Sequence, residues 1–249
     1  MESFSFNNKI SIIGLGVLGS AIAENFIEKK ISISGFDISN KATEKLKNKN
    51  IKIYNSINEV IDNNKFIITS LPSEKSLISV SSQLFNKKKE KIIIIETSTL
   101  PLDCKLEAKE ILSKENILIF DAPLSGNRMA ALEGKLSAYL SGEKLNKDYA
   151  KTILNMFCQK VTDVGDFGNG TIVKLIGNIL NLVHNAVAGE VMALGIKSGL
   201  DPEVIFNAIS GTFSSSGVFE NRGKLMVDED YEKEGMNFST SIKDSSFIT

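Results

Sequence analysis

The chain has only two cysteines and one histidine among 249 residues. Cys104 and Cys158 have no second cysteine or histidine at the spacing of a metal site, which argues against a zinc cluster. Two unclustered cysteines also argue against a disulfide framework, so we interpret them as reduced thiols that fill small apolar spaces. We therefore expect no bound metal ion.

The chain also lacks an excess of charge, with 29 basic and 30 acidic residues. No cluster of lysine or arginine alternates with aromatic residues, so nucleic acid is not an expected partner. No apolar stretch reaches the length of about 18 residues that a membrane span requires, and residues 1–9 contain no signal-peptide hydrophobic region. These absences predict a soluble, cytoplasmic protein that binds neither nucleic acid nor a membrane.

A glycine-rich segment near the start lies between a predicted strand, residues 9–13, and a helical pattern that continues to about Lys30. It consists of Gly14, Leu15, Gly16, Val17, Leu18 and Gly19. This is the G-x-G-x-x-G arrangement of dinucleotide-binding proteins, in which the glycines permit a tight turn, a close approach to pyrophosphate and helix–strand packing. The N–H groups at the start of the helix, together with its dipole, are suited to holding phosphates.

An acidic residue follows the second predicted strand, residues 31–36. Asp37 lies 18 residues after Gly19, where a carboxylate is expected to meet the ribose 2′-hydroxyl of NAD. The same carboxylate would repel the 2′-phosphate of NADP at close range. The sequence therefore predicts NAD as the cofactor, with NADP disfavoured.

Predicted strands and helices alternate over the first two thirds of the chain, and only helices are predicted from about Gly168. This order predicts an α/β fold, a doubly wound Rossmann-type parallel sheet followed by an all-α C-terminal domain. We place the NAD-binding domain at residues 1–164 and the helical domain at residues 165–249. Residues 138–141 and 161–164 are expected to add edge strands.

The segment GDFGNGTIVKLIGN, residues 165–178, carries the most unusual side chain. Gly170, Lys174 and Asn178 are four residues apart, which places them on one face of a helix. Most helical lysines are solvated, but this helix is apolar nearly all round. We therefore expect the glycine to leave room for a ligand that Lys174 and Asn178 contact. His184 lies off this face and is interpreted as structural.

With these residues in place, the chain resembles the β-hydroxyacid dehydrogenases, the family of 3-hydroxyisobutyrate dehydrogenase, from end to end. Residues 12–19 are similar to its cofactor fingerprint, with Leu18 where methionine is usual. Residues 121–126, DAPLSG, are similar to its substrate motif, and residues 165–178 to its catalytic motif. Leu71, Pro72, Ser98 and Lys243 occupy its further cofactor-contact positions.

The resemblance implies an oxidoreductase that moves a hydride between NAD and the hydroxyl-bearing carbon of a small 3-hydroxy acid. Ser125, Gly126 and Asn127 would bind the substrate carboxylate. Lys174 would act as the general acid–base, which near neutral pH requires that burial or positive neighbours lower its pKa. Asn178 would hold the substrate or the lysine in register.

Two departures from the family pattern leave questions open. Asn127, followed by Arg128, stands where a second glycine is common, so the substrate within this class is not identified. The chain also stops six residues after Lys243, where the family usually continues, so we expect a fragment or a trimmed C-terminal domain.

Three other interpretations stay open. The first is an NADPH-dependent semialdehyde or glyoxylate reductase of the same family, although its second strand more typically ends in Asn-Arg than in Asp37-Ile38. The second is an imine reductase, a class that usually lacks the lysine. The third is a catalytically impaired nucleotide-binding protein that serves as a sensor or scaffold.

The long predicted helix, residues 171–196, is apolar on almost every side and contains small residues suited to close packing. The segment of residues 165–249 is too short to cover it. We therefore expect a large apolar surface that a second subunit buries in a homo-oligomer, a dimer or a tetramer.

Overall fold

The computed structural model describes residues 10–47, 49–84, 91–230 and 246–247. The chain divides into two compact units, Met1–Lys174 and Leu175–Thr249. The first unit contains all the strands that the structure describes, and the described part of the second unit is helical.

Six parallel strands form the main sheet, in the order β3-β2-β1-β4-β5-β6. They are β1 (Ile10–Ile13), β2 (Ile33–Phe36), β3 (Lys52–Ile53), β4 (Phe66–Thr69), β5 (Ile92–Glu96) and β6 (Ile117–Asp121). The residues of β1, β4 and β5 are buried throughout, as expected for parallel strands that helices cover on both faces. The predicted doubly wound sheet is confirmed.

Helices connect these strands. They are α1 (Val17–Glu28), α2 (Asn40–Glu44), α3 (Ile57–Asn63), α4 (Glu74–Gln83) and α5 (Leu102–Ser113). Ser56 and Ser73 directly precede α3 and α4, and each side chain accepts a hydrogen bond from a backbone N–H of the first turn, a strongly favoured N-cap. Pro101 precedes α5, because proline has no N–H to leave unsatisfied there.

The strands after β6 form a second sheet, which corrects the expectation of edge strands on the main sheet. Its strands are β7 (Leu124–Ser125), β8 (Leu136–Leu140) and β9 (Cys158–Asp163), with α6 (Arg128–Leu132) and α7 (Lys147–Asn155) between them. Pro123 has no N–H to extend the β6 ladder, and its carbonyl oxygen instead accepts a hydrogen bond from Tyr139 of β8.

The core of the first unit joins α1 to the second sheet. The rings of Phe26 and Phe157 lie 5.5 Å apart between centroids, and Asn25 donates a hydrogen bond to the carbonyl oxygen of Leu132. Cys104 and Cys158 are unpaired, buried and packed in apolar clusters, in agreement with their interpretation as apolar fillers.

A long helix, α8 (Asn169–Lys197), begins in the first unit and ends in the second, followed by α9 (Pro202–Ile209) and α10 (Gly217–Val227). The helical C-terminal region is therefore confirmed. Asp201 caps α9, as its position before proline predicts. By length and composition alone α8 is able to cross a membrane, a criterion that core helices of soluble proteins also meet.

One face of α8 is apolar and exposed. Ile176, Leu180, Val183 and Val187 have exposed fractions of 54%, 54%, 52% and 49%. Their spacing of four, three and four residues makes a continuous stripe along the helix. We call these four residues the α8 stripe; its exposure in this chain agrees with the expected large apolar surface.

Candidate active site

The carboxyl ends of five parallel strands form one edge of the main sheet. The pairing register aligns Phe36, Ile13, Thr69, Glu96 and Asp121 in a row across neighbouring strands. The segments that follow these residues therefore emerge side by side. Ligands of open α/β sheets bind at this edge, beside the point where the strand order reverses, which here is β1.

The glycine-rich loop follows β1 and has the shape that a pyrophosphate requires. Gly14 has a φ of +94°, and a Cβ there would overlap the carbonyl oxygen of Ser70. A Cβ at Gly19 would overlap the carbonyl oxygen of Gly14, so both glycines are needed for packing. Gly16, which caps α1, has open space where its Cβ would lie. This backbone can approach a phosphate closely, so the loop fits a dinucleotide.

The other residues of the loop divide between core and surface. Leu15 is buried and packs against Gly35, Leu18 is partly buried against the core, and Val17 is exposed. The loop therefore has a fixed inner side and an accessible outer side.

Asp37 follows β2 and lies beside this loop. Its Oδ2 accepts a hydrogen bond from the backbone N–H of Leu15, at 2.7 Å, and its Oδ1 accepts one from Ser39, also at 2.7 Å. The carboxylate is therefore held next to the loop that would bind the pyrophosphate, as the sequence pattern predicts.

The residues after β4 and β5 that are predicted to contact the cofactor are hydrogen-bonded to each other. The backbone N–H of Leu71 donates to Oγ of Ser98 at 2.8 Å, and Pro72, next to Leu71, is exposed. Ser98 is buried, so this hydrogen bond fixes the segment after β4 against the segment after β5. The structure thus brings Gly14, Asp37, Leu71 and Ser98 to the same edge.

The predicted substrate residues follow β6. Ser125 lies in β7 and is half-buried, whereas Gly126 and Asn127 are exposed. Gly126 has a φ of +132°, a backbone conformation that residues other than glycine rarely adopt. Asn127 caps α6 by accepting a hydrogen bond from Ala130 at 3.0 Å, which fixes the direction of its amide.

The start of α8 corrects one expectation about Gly170. The sequence pattern suggested that this glycine leaves room for a ligand, but a Cβ there would overlap the carbonyl oxygen of Tyr139 and lie 2.9 Å from Oδ2 of Asp121. The glycine is needed because the helix begins in contact with the ends of β6 and β8. Its space is filled by protein.

Lys174 and Asn178 lie on α8 and are both half-buried. The division of the chain puts Lys174 at the end of the first unit and Asn178 in the second. His184, which lies further along the same helix, is exposed. Lys243, the remaining predicted cofactor contact, lies outside the described residues.

A buried ion cluster beneath this edge escaped the sequence reasoning. The Lys105 ammonium lies 2.7 Å from Oε2 of Glu96 and 2.7 Å from Oδ1 of Asp121, and all three side chains are fully buried. Lys105 also donates to the carbonyl oxygen of Ser98 at 2.7 Å. The contact between Lys105 and Glu96 is an ion pair whose geometry does not meet the angles of a hydrogen bond. The available signal was two acidic residues that end apolar, buried strands.

The cluster keeps its lysine charged. Burial by itself would lower the pKa of Lys105, but the carboxylates of Glu96 and Asp121 outweigh burial and raise that pKa above its ordinary value. A buried ammonium with two carboxylates at 2.7 Å is consistent with this direction. Lys105 is therefore the cation of the buried cluster, held between the two carboxylates.

Comparisons with known proteins agree with this arrangement. Residues 9–165 match the family described as the NAD binding domain of 6-phosphogluconate dehydrogenase. Residues 168–248 match the family described as the NAD-binding of NADP-dependent 3-hydroxyisobutyrate dehydrogenase.

Individual relatives share between a quarter and a third of their aligned residues with this chain. The L-threonate dehydrogenase of Haemophilus influenzae is 27% identical over 231 residues, which cover 90% of this chain and 76% of that protein. The mitochondrial 3-hydroxyisobutyrate dehydrogenase of Drosophila melanogaster is 28% identical over 217 residues, which cover 84% of this chain and 66% of the relative. This chain thus spans slightly less than two thirds of the Drosophila protein.

A solved structure shares the fold. The 3-hydroxyisobutyrate dehydrogenase of Mycobacterium tuberculosis with L-serine superposes with a TM-score of 0.88 at 20% identity, over 97% of this chain and 85% of that one. The first family match alone covers more than half of the chain. The chain therefore belongs to the β-hydroxyacid dehydrogenase family of NAD(P)-dependent oxidoreductases.

Proposed function

We propose that this chain is an NAD-dependent dehydrogenase of a small 3-hydroxy acid resembling 3-hydroxyisobutyrate, with Lys174 as general acid–base. The observation that carries the proposal is the anchoring of α8, the helix of Lys174. Its first turn is hydrogen-bonded to Asp121, and Asp121 precedes Ser125 by four residues in the chain. The proposed proton-transfer residue and the proposed substrate segment thus share one attachment at the carboxyl edge of the sheet.

NAD is the proposed cofactor because of Asp37. Its carboxylate lies against the glycine-rich loop, where it would accept hydrogen bonds from a ribose diol and repel a 2′-phosphate. Leu71, Pro72 and Ser98 would line the same edge further along the sheet, and Lys243 would add a contact from the last motif.

The chain's own residues would carry the substrate and the proton. Hydroxyl and backbone N–H donors at Ser125, Gly126 and Asn127 would bind the carboxylate. The neutral amine of Lys174 would take the proton from the substrate hydroxyl, and its ammonium form would return it in the reverse direction. Asn178, one turn along α8, would orient the substrate or the lysine. NAD, when bound, supplies the acceptor for the hydride.

A steady-state assay would test this function. The purified protein would be given 3-hydroxyisobutyrate and L-threonate with NAD or NADP, and glyoxylate and succinic semialdehyde with NADH or NADPH. NAD-linked oxidation of a 3-hydroxy acid is the expected result. The absence of turnover with every pair, together with tight NADH binding, would favour a nucleotide-binding sensor or scaffold instead.

An NADPH-dependent aldehyde reductase is the second candidate. It is favoured by the match of residues 168–248 to a family whose description names an NADP-dependent enzyme. Faster turnover of glyoxylate or a semialdehyde with NADPH than of any hydroxy acid with NAD would establish it.

The proposed assembly is a cytoplasmic homo-oligomer. Four apolar side chains of the α8 stripe are each about half exposed, at the spacing with which one helix packs against another. An exposed apolar surface of this kind typically marks an interface. A second copy of the chain is the proposed occupant, because this spacing suits a self-complementary helix pair.

A further inference from the structure

We infer that Asp121 is a positioning residue, which fixes the first turn of α8 and thereby Lys174 relative to the segment that carries Ser125. The inference rests on the function proposed for Lys174. Asp121 is fully buried at the end of β6, where the backbone continues directly toward Ser125. Its side chain, in contrast, contacts α8.

Asp121 makes two hydrogen bonds to one residue of the helix. Oδ2 accepts from the backbone N–H of Thr171 at 2.8 Å, and Oδ1 accepts from the Thr171 hydroxyl at 2.9 Å. Ser141 extends the contact, because its hydroxyl donates to Oδ2 of Asp121 at 3.1 Å and accepts from the N–H of Gly170 at 3.0 Å. Both oxygens of the carboxylate are thus engaged by the helix start or its neighbour.

These contacts satisfy the amides that a helix cannot satisfy itself. The first N–H groups of a helix have no intrahelical acceptor. In α8 the N–H of Asn169 donates to the carbonyl oxygen of Asp166, that of Gly170 to Ser141, and that of Thr171 to Asp121. All three acceptors lie outside α8, and two of them, Ser141 and Asp121, follow or end distant strands, so the helix start is attached to the sheets.

Packing and charge oppose movement of this turn. A side chain at position 170 would overlap the carbonyl oxygen of Tyr139, so the helix backbone lies in direct contact with β8. Lys105 balances only one of the two buried carboxylates, Glu96 and Asp121. The positive end of the α8 dipole lies against Asp121 and offsets part of the remaining negative charge.

The link to Lys174 is the rigidity of the helix. Lys174 lies three residues after Thr171, about 4.5 Å further along the axis. A displacement of the first turn would therefore move the Lys174 amine by a similar amount. A misplacement of about 1 Å at a reacting group can reduce turnover about 100-fold.

Asp121→Asn and Glu96→Gln form a matched pair of test variants. Each neutralises one carboxylate of the same buried cluster and leaves Lys105 with the other. In Asp121→Asn the new NH₂ must face either the Thr171 N–H or the Lys105 ammonium, and both are donors. In the first orientation the hydrogen bond to the Thr171 N–H is lost. In the second, a neutral oxygen replaces the charged acceptor and the NH₂ opposes Lys105, so the cap is weaker in both cases. Glu96 has no contact with α8 among its described hydrogen bonds and ion pairs.

Hydrogen exchange and kinetics provide two separate measurements. We expect amides of residues 168–174 to exchange about tenfold faster in Asp121→Asn, because the loss of a helix cap permits local opening. Glu96→Gln should exchange at the wild-type rate there. At saturating cofactor and substrate, kcat of Asp121→Asn should fall about 100-fold, with the NADH dissociation constant nearly unchanged. Any effect of Glu96→Gln, which adjoins Ser98, should appear in KM for the cofactor.

The outcomes separate this inference from the proposed function. Wild-type exchange at residues 168–174 in Asp121→Asn would overturn the anchor, whatever the activity. Faster exchange with the same kcat as Glu96→Gln would overturn the positioning role. Full turnover by Lys174→Ala would overturn the proposed function while the exchange result stands. Should Asp121→Asn fail to fold, Ser141→Ala, which removes the Gly170 acceptor without altering charge, is expected to show the same two effects at reduced size.

Discussion

The backbone N–H of Leu15 and the carboxylate of Asp37 are joined by a hydrogen bond of 2.7 Å. The residues are 22 positions apart and follow different strands, β1 and β2. The bond ties the acidic residue to the loop that would bind the cofactor's phosphates. If an adenosine ribose binds beside this carboxylate, as we propose, cofactor choice is testable at one side chain.

We expect NADH to bind more tightly than NADPH, and Asp37→Ala to reduce NADH affinity. A hydrogen bond to a charged group contributes about 1.5–3 kcal/mol, which is roughly a 10- to 100-fold change in the dissociation constant. Fluorescence titration with both reduced cofactors measures it. Glu44→Gln, which removes an exposed charge from α2, should have no effect. Equal or tighter binding of NADPH by the wild-type protein would contradict the assignment of NAD.

Lys174→Ala should abolish turnover while NADH binding stays nearly intact. General acid–base catalysis contributes about 10²–10⁴-fold, so a loss of about 3 kcal/mol or more in transition-state stabilisation is expected. Lys174→Arg should be nearly as inactive, because a guanidinium does not lose its proton at working pH. Lys197→Ala, at the other end of α8, is the matched control and should retain activity. More than about a tenth of wild-type kcat in Lys174→Ala would assign proton transfer to another group.

Lys105→Met should destabilise the fold by about 3–5 kcal/mol, because two buried carboxylates would lose their cation. Chemical denaturation followed by circular dichroism measures this change. Lys114→Met removes the lysine that directly follows the same helix, but its ion pair with Glu110 is exposed, so a loss below about 1 kcal/mol is expected. Similar losses in the two variants would show that the buried cluster does not support the fold.

Both thiols should resist alkylation in the native protein. Burial is the main cause that raises the pKa of Cys104 from 9.0 to about 11 and that of Cys158 to about 12. At pH 8 both groups therefore stay protonated, and the reactive thiolate of Cys104 is about a hundredfold scarcer than in an unfolded chain.

Iodoacetamide labelling followed by mass spectrometry at pH 8 tests this expectation. Both cysteines should be labelled in guanidinium chloride and neither in buffer over the same time. An added thiol, Ser214→Cys in an exposed turn, provides the positive control. Rapid native labelling of either natural cysteine would mean that its site opens readily or carries an activated thiol.

The exposed α8 stripe should mediate self-association. We expect the protein to sediment as a dimer or a larger homo-oligomer, and the double variant Leu180→Glu, Val183→Glu to shift it toward monomer, since charges are disfavoured in a buried helix interface. Lys197→Glu, further along the same helix, controls for the added charge. A stable wild-type monomer at micromolar concentration would exclude this surface as the interface.

Local sequence pattern was sufficient for the alternation of strands and helices in the main sheet and for the cofactor loop. The glycines of the loop and the apolar strands each reflect interactions within a few residues of the chain, or a burial pattern that the residues themselves display. For that reason the strands predicted at residues 9–13 and 31–36 agree closely with β1 (Ile10–Ile13) and β2 (Ile33–Phe36). The ribose contact of Asp37 stays a prediction; the structure shows its carboxylate hydrogen-bonded to the loop, in keeping with the fixed spacing of a strand–helix–strand unit.

The tertiary structure decided what distant segments do to one another. Glu96, Lys105 and Asp121 come from two strands and a helix. The pairing of β5 with β6 aligns the two carboxylates, and Lys105 of α5 lies 2.7 Å from each of them. The helical spacing predicts that Gly170 leaves space for a ligand, but the chain folds so that the carbonyl oxygen of Tyr139 takes that space. Similarly, β8 pairs with β7 and with β9 in a second sheet, where the sequence predicts edge strands of the main sheet. A strand's partner and a glycine's neighbour depend on long-range packing, which local pattern does not encode.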